Sequence, residues 1–504
     1  MGEPLILAVD IGTSSIRAAL YSADGRVRGY TQKRHGVLRP EPFMEEQDPD
    51  AVRALVFDSI AACLEGAGGA GSDVRGMAFS SQMYSVFPVD AENAPLHNSI
   101  LWSDGRAEAV VDAMRGRIDA DALYRETGCP LNSLYPVAKI AWLLQNRPEI
   151  CRRAAKYVSI KDYVLFPLLG GWKTDCSTAS GSGMLDLANG RWSRLALAAL
   201  GLAEEAFPEL AAGWTPLAVR NGGMLRRWGL PETTPLFLGG GDGPLANIGS
   251  GANRVGGVNI DLGTSGAVRV AVDKPMFEPA GRLWCYAMQP GRWAYGGIVT
   301  NAGNALQWLG TNLAFPPAAD PDAATSEIGK LAEEVPAGAG GVVCIPYFRK
   351  ARAPNWDGRF RGTMLGLTAG HDLRHIARAA IEAIAFDLAT ILEMAAGGEA
   401  TSPPVILTGG VSRTRLVPQL LADVFDAAVF MPSHCEGSMA GAAITGLRGA
   451  GLIADFAFER SAAAPGTLYE PARAEASFYR ELRRRYSQLI KTIQDSGLLE
   501  SIRS

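Results

Sequence analysis

Two copies of one short phrase set the terms on which this chain can fold. DIGTSSIRAAL runs from Asp10 to Leu20, and DLGTSGAVRVA runs from Asp261 to Ala271. In each copy an apolar strand ends in Asp, and one residue later Gly-Thr-Ser turns the chain into a second strand. A glycine at a hairpin tip lets the backbone approach a ligand closely, and the amides and hydroxyls that follow can surround an anion. A single Asp-x-Gly-Thr is equally good turn chemistry. Two copies with matching flanks, one near the start of each half, predict two similar domains that face each other, with a nucleotide's phosphates held between the hairpins.

The rest of the chain agrees with that reading. Its 504 residues exceed what one hydrophobic core can organise, so two large domains are expected. Strand patterns alternate with helical ones, as in an α/β protein. The first 34 residues read as an antiparallel meander, and DPDAVRALVFDSIAACLEGA as a helix capped by Asp48 or Asp50. No apolar run is long enough to span a bilayer, and the N-terminus lacks the basic region of a signal peptide, so a cytoplasmic protein is expected. With 48 basic residues against 52 acidic ones and no basic tail, a nucleic-acid partner is not expected. The arginines of RELRRRYSQLIKTI read as a solvated helix face. Seven cysteines without a CxxC pair read as buried thiols in a reducing compartment.

Chemistry narrows further around PLFLGGGDGPLANIGSGA. A strand runs into three glycines, and Asp242 sits at a crowded turn before a helix that is expected to begin at about Pro244. A carboxylate there either caps the helix or lies at the floor of the cleft as a base. No GxxxxGK[ST] occurs in the chain, so phosphates are not held by a P-loop.

The two hairpins, PVAKIAWLLQN (Pro136 to Asn146) and GTMLGLTAGHDLRHIARAAIE (Gly362 to Glu382) together resemble the FGGY carbohydrate kinases. The resemblance covers essentially the whole chain. It implies a two-domain actin-like (ribonuclease H-like) ATPase fold with a duplicated core and an interdomain cleft. Residues 1–249 would form a sugar-binding N-terminal domain and residues 250–504 a nucleotide-binding C-terminal domain. The implied activity is transfer of the γ-phosphate of ATP to a sugar hydroxyl, with Mg²⁺ as cofactor.

Residue by residue, the resemblance makes Asp242 the catalytic base and a Mg²⁺ neighbour, with Asp10 acting on the metal through water. Gly12, Thr13, Ser14, Gly263 and Thr264 would cradle phosphates. Arg17 either neutralises the transferred phosphate or is a solvated strand arginine. Gly303 and Gln307 would flank the phosphates, and Gly409, Gly410, Ser412 and Gly441 would hold adenosine, while Trp308 and Leu309 read as core.

The sugar would sit against SSQMYS and LWSDGRA, through Gln82, Met83, Tyr84, Trp102 and Asp104. QM and LWSDGR are most similar to the xylulokinase branch, and SIKDY, DGPLAN and RAPNWD to the gluconokinase branch. Weighting the sugar-facing motifs favours D-xylulose, with D-gluconate as the alternative. Tyr84, where the branches commonly have histidine, and Ala351, where a glutamate often stands, depart from both. A gluconate enzyme must also neutralise a carboxylate, for which Arg106, Lys139 and Lys161 are the candidate cations.

Two other classes fit less well. An actin-like ATPase module would lack the two FGGY patterns, and a sugar sensor on a kinase scaffold could lose the base, which Asp242 retains. A homodimer stays open, and no membrane partner is expected.

Overall fold

The computed structural model describes residues 2–496 except 69, 315, 318–319, 350–351, 357–359, 398–401, 434–436 and 459–464. Ala351 and Cys435 lie outside the described residues. Among the described residues, no helix is long and apolar enough to cross a membrane.

The duplication read from the two phrases is a duplication of topology. In the first half, β1 (Leu5–Ile11), β2 (Ser15–Ser22) and β3 (Val27–Arg34) form the expected antiparallel meander. Two further strands, β4 (Val74–Ser81) and β5 (Leu236–Gly241), add in parallel on the other side of β1, giving the order β5-β4-β1-β2-β3. In the second half, β6 (Gly257–Leu262), β7 (Gly266–Val272), β8 (Trp284–Gln289) and β9 (Arg292–Val299) form the antiparallel part. β10 (Ser402–Thr408) and β11 (Val429–Pro432) follow in parallel, and β12 (Gly466–Tyr469) closes the edge, in the order β8-β9-β7-β6-β10-β11-β12. The run β3-β2-β1-β4-β5 thus has its counterpart in β9-β7-β6-β10-β11. Asp10 and Asp261 stand at matching places, one residue before the end of β1 and of β6.

Strand β1 is buried along its whole length, which explains its near-continuous apolar sequence. Helix α1 (Pro49–Gly66) covers the sheet, and Asp48 is its cap, accepting from the amides of Asp50 and Ala51. Proline 49 takes the first helical turn, where its missing N–H costs nothing.

The glycines before Asp242 have a mechanical reason. Gly239 adopts φ +67°, and a Cβ there would lie 1.9 Å from the carbonyl oxygen of Phe79. The register of β5 against β4 shifts at this point, so the strand bulges just before Asp242 begins the next helix. Gly239→Ala is expected to remove most folded protein, because it adds a left-handed strain and a backbone clash together. Thermal melting of the purified variant checks this; an unchanged melting temperature would contradict it.

Helix α2 runs Asp242–Gly249, two residues earlier than the expected start at Pro244, because Gly241 already occupies the cap position. Asp242 is therefore a first-turn residue rather than a residue of the preceding turn. Across α2 lies a helix from the far end of the chain, α3 (Gly437–Gly449), which also packs on β1, β4 and β5. A Cβ at Gly441 would fall 2.0 Å from the carbonyl oxygen of Leu245, so Gly441 is a close-packing glycine at the crossing of α2 and α3. Expected beside adenosine, Gly441 is buried here against backbone.

The C-terminal helix, Arg473–Asp495, buries Ala476, Tyr479, Tyr486 and Ile490 and leaves Arg484 and Arg485 paired with Glu481 on its solvated side. Of the cysteines, Cys63, Cys129, Cys285 and Cys344 are buried, whereas Cys151 and Cys176 are only partly so.

Candidate active site

The two hairpin tips are built alike. The Gly12 amide donates to the Ser15 carbonyl at 3.1 Å, and the Gly263 amide to the Ser265 carbonyl at 3.0 Å. A polar network holds the first tip. Thr13 Oγ1 donates to Gln82 Oε1 at 2.8 Å and accepts from Trp102 Nε1 at 3.1 Å, while Gln47 Nε2 donates to the Thr13 carbonyl. Ser14 is exposed at the apex.

The second tip is held by backbone. The helix Gly303–Asn312 starts against it, with the Gly303 and Asn304 amides donating to the carbonyls of Gly263 and Thr264. Gly409 closes the other side. Its φ is +97°, and a Cβ there would lie 2.5 Å from the Leu262 carbonyl and 2.7 Å from Asp261 Oδ1, so only glycine fits. Gly410 faces open space, and Ser412 Oγ donates back to the Gly409 carbonyl. Gln307 is partly exposed one turn along its helix. Leu309 is core as expected, but Trp308 is 36% exposed and stacks on Phe348 at 4.1 Å, because its side of the helix faces away from the sheet.

Three carboxylates and two arginines meet between the tips. Asp10 is nearly buried, and its Oδ1 has no hydrogen-bond partner. Arg17 stands opposite it in the β1–β2 register, with Nε 3.9 Å from Asp10 Oδ2. Asp242 accepts from its neighbour's amide, Gly243 N–H, at 2.8 Å. Loss of solvent pushes its carboxyl up to about 7, and the charges of Asp10 and then Asp261 add to the rise, against the pull of Arg269 and the Gly243 amide. Arg269 reaches this place from β7, where it donates to Asn259 Oδ1 at 3.2 Å. A base that titrates near 7 in a cleft between two anion-binding turns is suited to take a proton from an alcohol.

Near Asp242, tyrosines from both halves meet through their hydroxyls, with Tyr135 and Tyr286 buried. Tyr84 Oη donates to Tyr286 Oη at 3.3 Å, and the Tyr135 and Tyr286 hydroxyls are 3.0 Å apart. Tyr84 adopts φ +69°, and the buried Lys139 fixes it there by donating to its carbonyl at 2.8 Å. Trp102 adds a partly exposed ring.

Several residues expected to touch a sugar are instead structural supports. Gln82 is 2% exposed and is consumed by Thr13 and Gln47. Met83 is buried beneath Gly241 and Gly181, within 2.6 Å of a Cβ placed at Gly241. The Asp104 carboxylate accepts from the amides of Glu45 and Arg106 and is forked by the Arg106 guanidinium, so it is fully engaged in shaping its own loop. The same geometry accounts for the three candidate cations. Arg106 is committed to Asp104 and Glu46, Lys161 to Asp175 and the Leu238 carbonyl, and Lys139 to Tyr84.

Sequence reasoning missed Arg269, Tyr135, Tyr286 and Arg352. Arg269 had a visible signal, since both hairpin phrases place an arginine on the strand that leaves the tip. Arg352 opens the RAPNWD motif, but nothing in that motif assigns it to the site, and Tyr286 carries no local mark; both reach the site only through the folding of the second half.

Paired hairpins that converge on a carboxylate pushed up to about 7, beside a cluster of tyrosine hydroxyls, define a phosphotransferase that works without a P-loop. Residues 5–249 match the N-terminal domain, and residues 258–450 the C-terminal domain, of the FGGY family of carbohydrate kinases, and the chain belongs to that family. It is 32% identical over 500 residues to the gluconokinase of Bacillus licheniformis, covering 97% of this chain and 96% of that one. Its structure is similar to those of gluconate kinase from Lactobacillus acidophilus (TM-score 0.90, 28% identity, 98% of each chain) and of ligand-bound xylulose kinase from the same organism (TM-score 0.89, 28% identity, 97% of this chain and 98% of that one). The protein is thus a sugar kinase, a phosphotransferase with an alcohol acceptor, and the fold is the two-domain α/β fold of that family.

Proposed function

We propose that the chain phosphorylates a terminal hydroxyl of an open-chain sugar acid, D-gluconate, with ATP as donor. The observation that carries this reading is Asp242, a carboxyl pushed up to about 7 between Asp10 and Arg269 at the mouth of both hairpins. D-Xylulose is the second reading, favoured by the QM and LWSDGR motifs. Those motifs lose weight for the acceptor because Gln82, Met83 and Asp104 are buried supports. The similarity to gluconokinase extends over nearly the whole chain and supports the acid.

In this reading residues 1–249 hold the acceptor and residues 250–504 most of the nucleotide. The hairpin tips at Gly12, Thr13, Ser14, Gly263 and Thr264 surround the phosphates, and Gly409, Gly410, Ser412, Gly303 and Gln307 line the path to the nucleoside. Asp242 takes the hydroxyl proton as the acceptor oxygen bonds to the γ-phosphorus and the bond to the ADP oxygen breaks. Arg17 and Arg269 offset the negative charge gathered at the tips.

The residues present fit a divalent cation: Asp10 Oδ1 is buried without a partner, and Asp10 and Asp242 act on each other electrostatically. Asp10 and Asp242 would hold Mg²⁺ through water, and the ion would neutralise the charge between the β- and γ-phosphates. Closure of the halves would exclude water as a competing acceptor. The six unpaired cysteines among the described residues are in keeping with work in the cytoplasm.

The test is ADP release by the purified chain with D-gluconate, D-xylulose, L-ribulose, L-rhamnulose and glycerol. D-Gluconate is expected to give a kcat/KM at least tenfold above the others. D-Xylulose in first place would transfer the assignment to the second reading, and a panel without any responder would overturn both.

A further inference from the structure

One cation beside Trp102 has no counter-charge in contact with it among the described residues. Arg352 comes from the second half and reaches the wall formed by Trp102 of the first, with its guanidinium carbon 5.7 Å from the Trp102 ring centroid. Its Nη1 is covered and has no hydrogen-bond partner. Among the described residues no carboxylate pairs with it; Glu108 acts on it only through its field. Tyr84, Tyr135 and Tyr286 also act on it electrostatically, which puts it near the tyrosine cluster. Burial lowers its pKa, and among the described residues Nη1 is given no partner that would offset the loss of solvent.

A covered guanidinium nitrogen without a partner is costly, and an arriving anion would relieve that cost. Its planar fork matches a carboxylate better than a lysine ammonium does. Tyr84 links the two groups, because the same side chain is within the field of Asp242 and Arg269 and also acts on Arg352. An acceptor whose hydroxyl meets Asp242 would therefore run past Tyr84 toward Arg352. The three cations that the sequence offered for this task are already committed to internal partners, which leaves Arg352 as the available fork.

We propose that Arg352 selects an acid as acceptor: it binds the carboxylate of the sugar acid while the hydroxyl at the other end of the molecule lies at Asp242. The proposal rests on the reading of the cleft as a sugar-acid kinase and names the residue that reads the acid.

Calorimetry on the full chain without ATP tests it, comparing D-gluconate with D-glucitol, which has a hydroxymethyl group in place of the carboxylate. The wild type is expected to bind gluconate at least tenfold more tightly than glucitol. Arg352→Ala should weaken gluconate by about 100-fold, the scale of two charge-assisted hydrogen bonds, and leave glucitol within about threefold. Arg352→Lys, which keeps the charge without the fork, should recover part of the preference; it also serves as the readout if the alanine variant melts early.

A gluconate preference that survives in both variants overturns the proposal. So does an ATP affinity that falls as far as the gluconate affinity, which would assign the guanidinium to nucleotide phosphates. Gluconate binding that depends on Arg352 without phosphoryl transfer would support the proposal while overturning the kinase reading of the acid. Phosphorylation of D-xylulose by a chain that does not bind gluconate would overturn the proposal and leave the sugar-kinase assignment intact.

Discussion

Asp242→Asn is expected to lower turnover about 1,000-fold, within the range for loss of a positioned general base, while the chain stays folded. Its dependence on pH makes the prediction specific. The Asp242 carboxyl sits at about 7 in the folded chain against an ordinary value of 3.8, so the folded state holds a proton that the unfolded state has already released. Stability from this group is present in acid and is lost as pH rises from about 4 to about 7. Above pH 7 the ionised carboxylate is a burden on the fold, and asparagine removes it. The variant should therefore melt at a higher temperature than the wild type at pH 8 and lose that advantage near pH 4. In the wild type, kcat/KM should climb with pH and level off above about 7, since the free enzyme must hold Asp242 ionised to accept a proton. A residue that merely capped its helix would give neither the rate limb nor the gain in stability.

Asp10→Asn has the next largest expected effect, a fall in turnover of about 100-fold or more, on the scale of one lost electrostatic contact to the reacting phosphates. The substitution also removes the carboxylate whose charge is the largest electrostatic contribution to the rise of Asp242. The rate limb of the variant should consequently move below 7, although Asp10 does not itself exchange protons with the acceptor. Excess Mg²⁺ should recover part of the activity, because the lost group is replaced by a neutral oxygen donor that still has affinity for the ion's water shell. An unmoved limb, with turnover near the wild type, would place Asp10 outside the reaction.

What the sequence made legible divides along a physical line. The hairpins could be read because each is a local object: Asp, Gly and Thr within four residues fix both the turn and its capacity to bind an anion. The duplicated topology followed from finding that object twice. Asp242 was visible for the same reason, since the three glycines before it mark a backbone forced into a bulge, with Gly239 at φ +67° against the Phe79 carbonyl.

The surroundings of Asp242 were not legible in this way. Gln82, Met83 and Asp104 have side chains that suit a sugar, and only their neighbours reveal that Thr13, Gly241 and Arg106 have claimed them. Gly441 looked like room for a base, yet it lies where two helices from opposite halves of the chain cross. Arg352 and Tyr286 meet Trp102, Tyr84 and Tyr135 across long stretches of sequence, and neither period nor spacing records such a meeting. Local chemistry is written in the sequence, whereas the competition among side chains for partners is decided by the fold.

The measurement that bears most directly on the account is phosphorus NMR of ATP and D-gluconate incubated with the wild type and, in parallel, with Asp242→Asn. A new phosphate monoester on the acceptor, growing in step with ADP in the wild type and all but absent with the variant, is the predicted result. Release of inorganic phosphate alone, or monoester formed by Asp242→Asn at the wild-type rate, would contradict it.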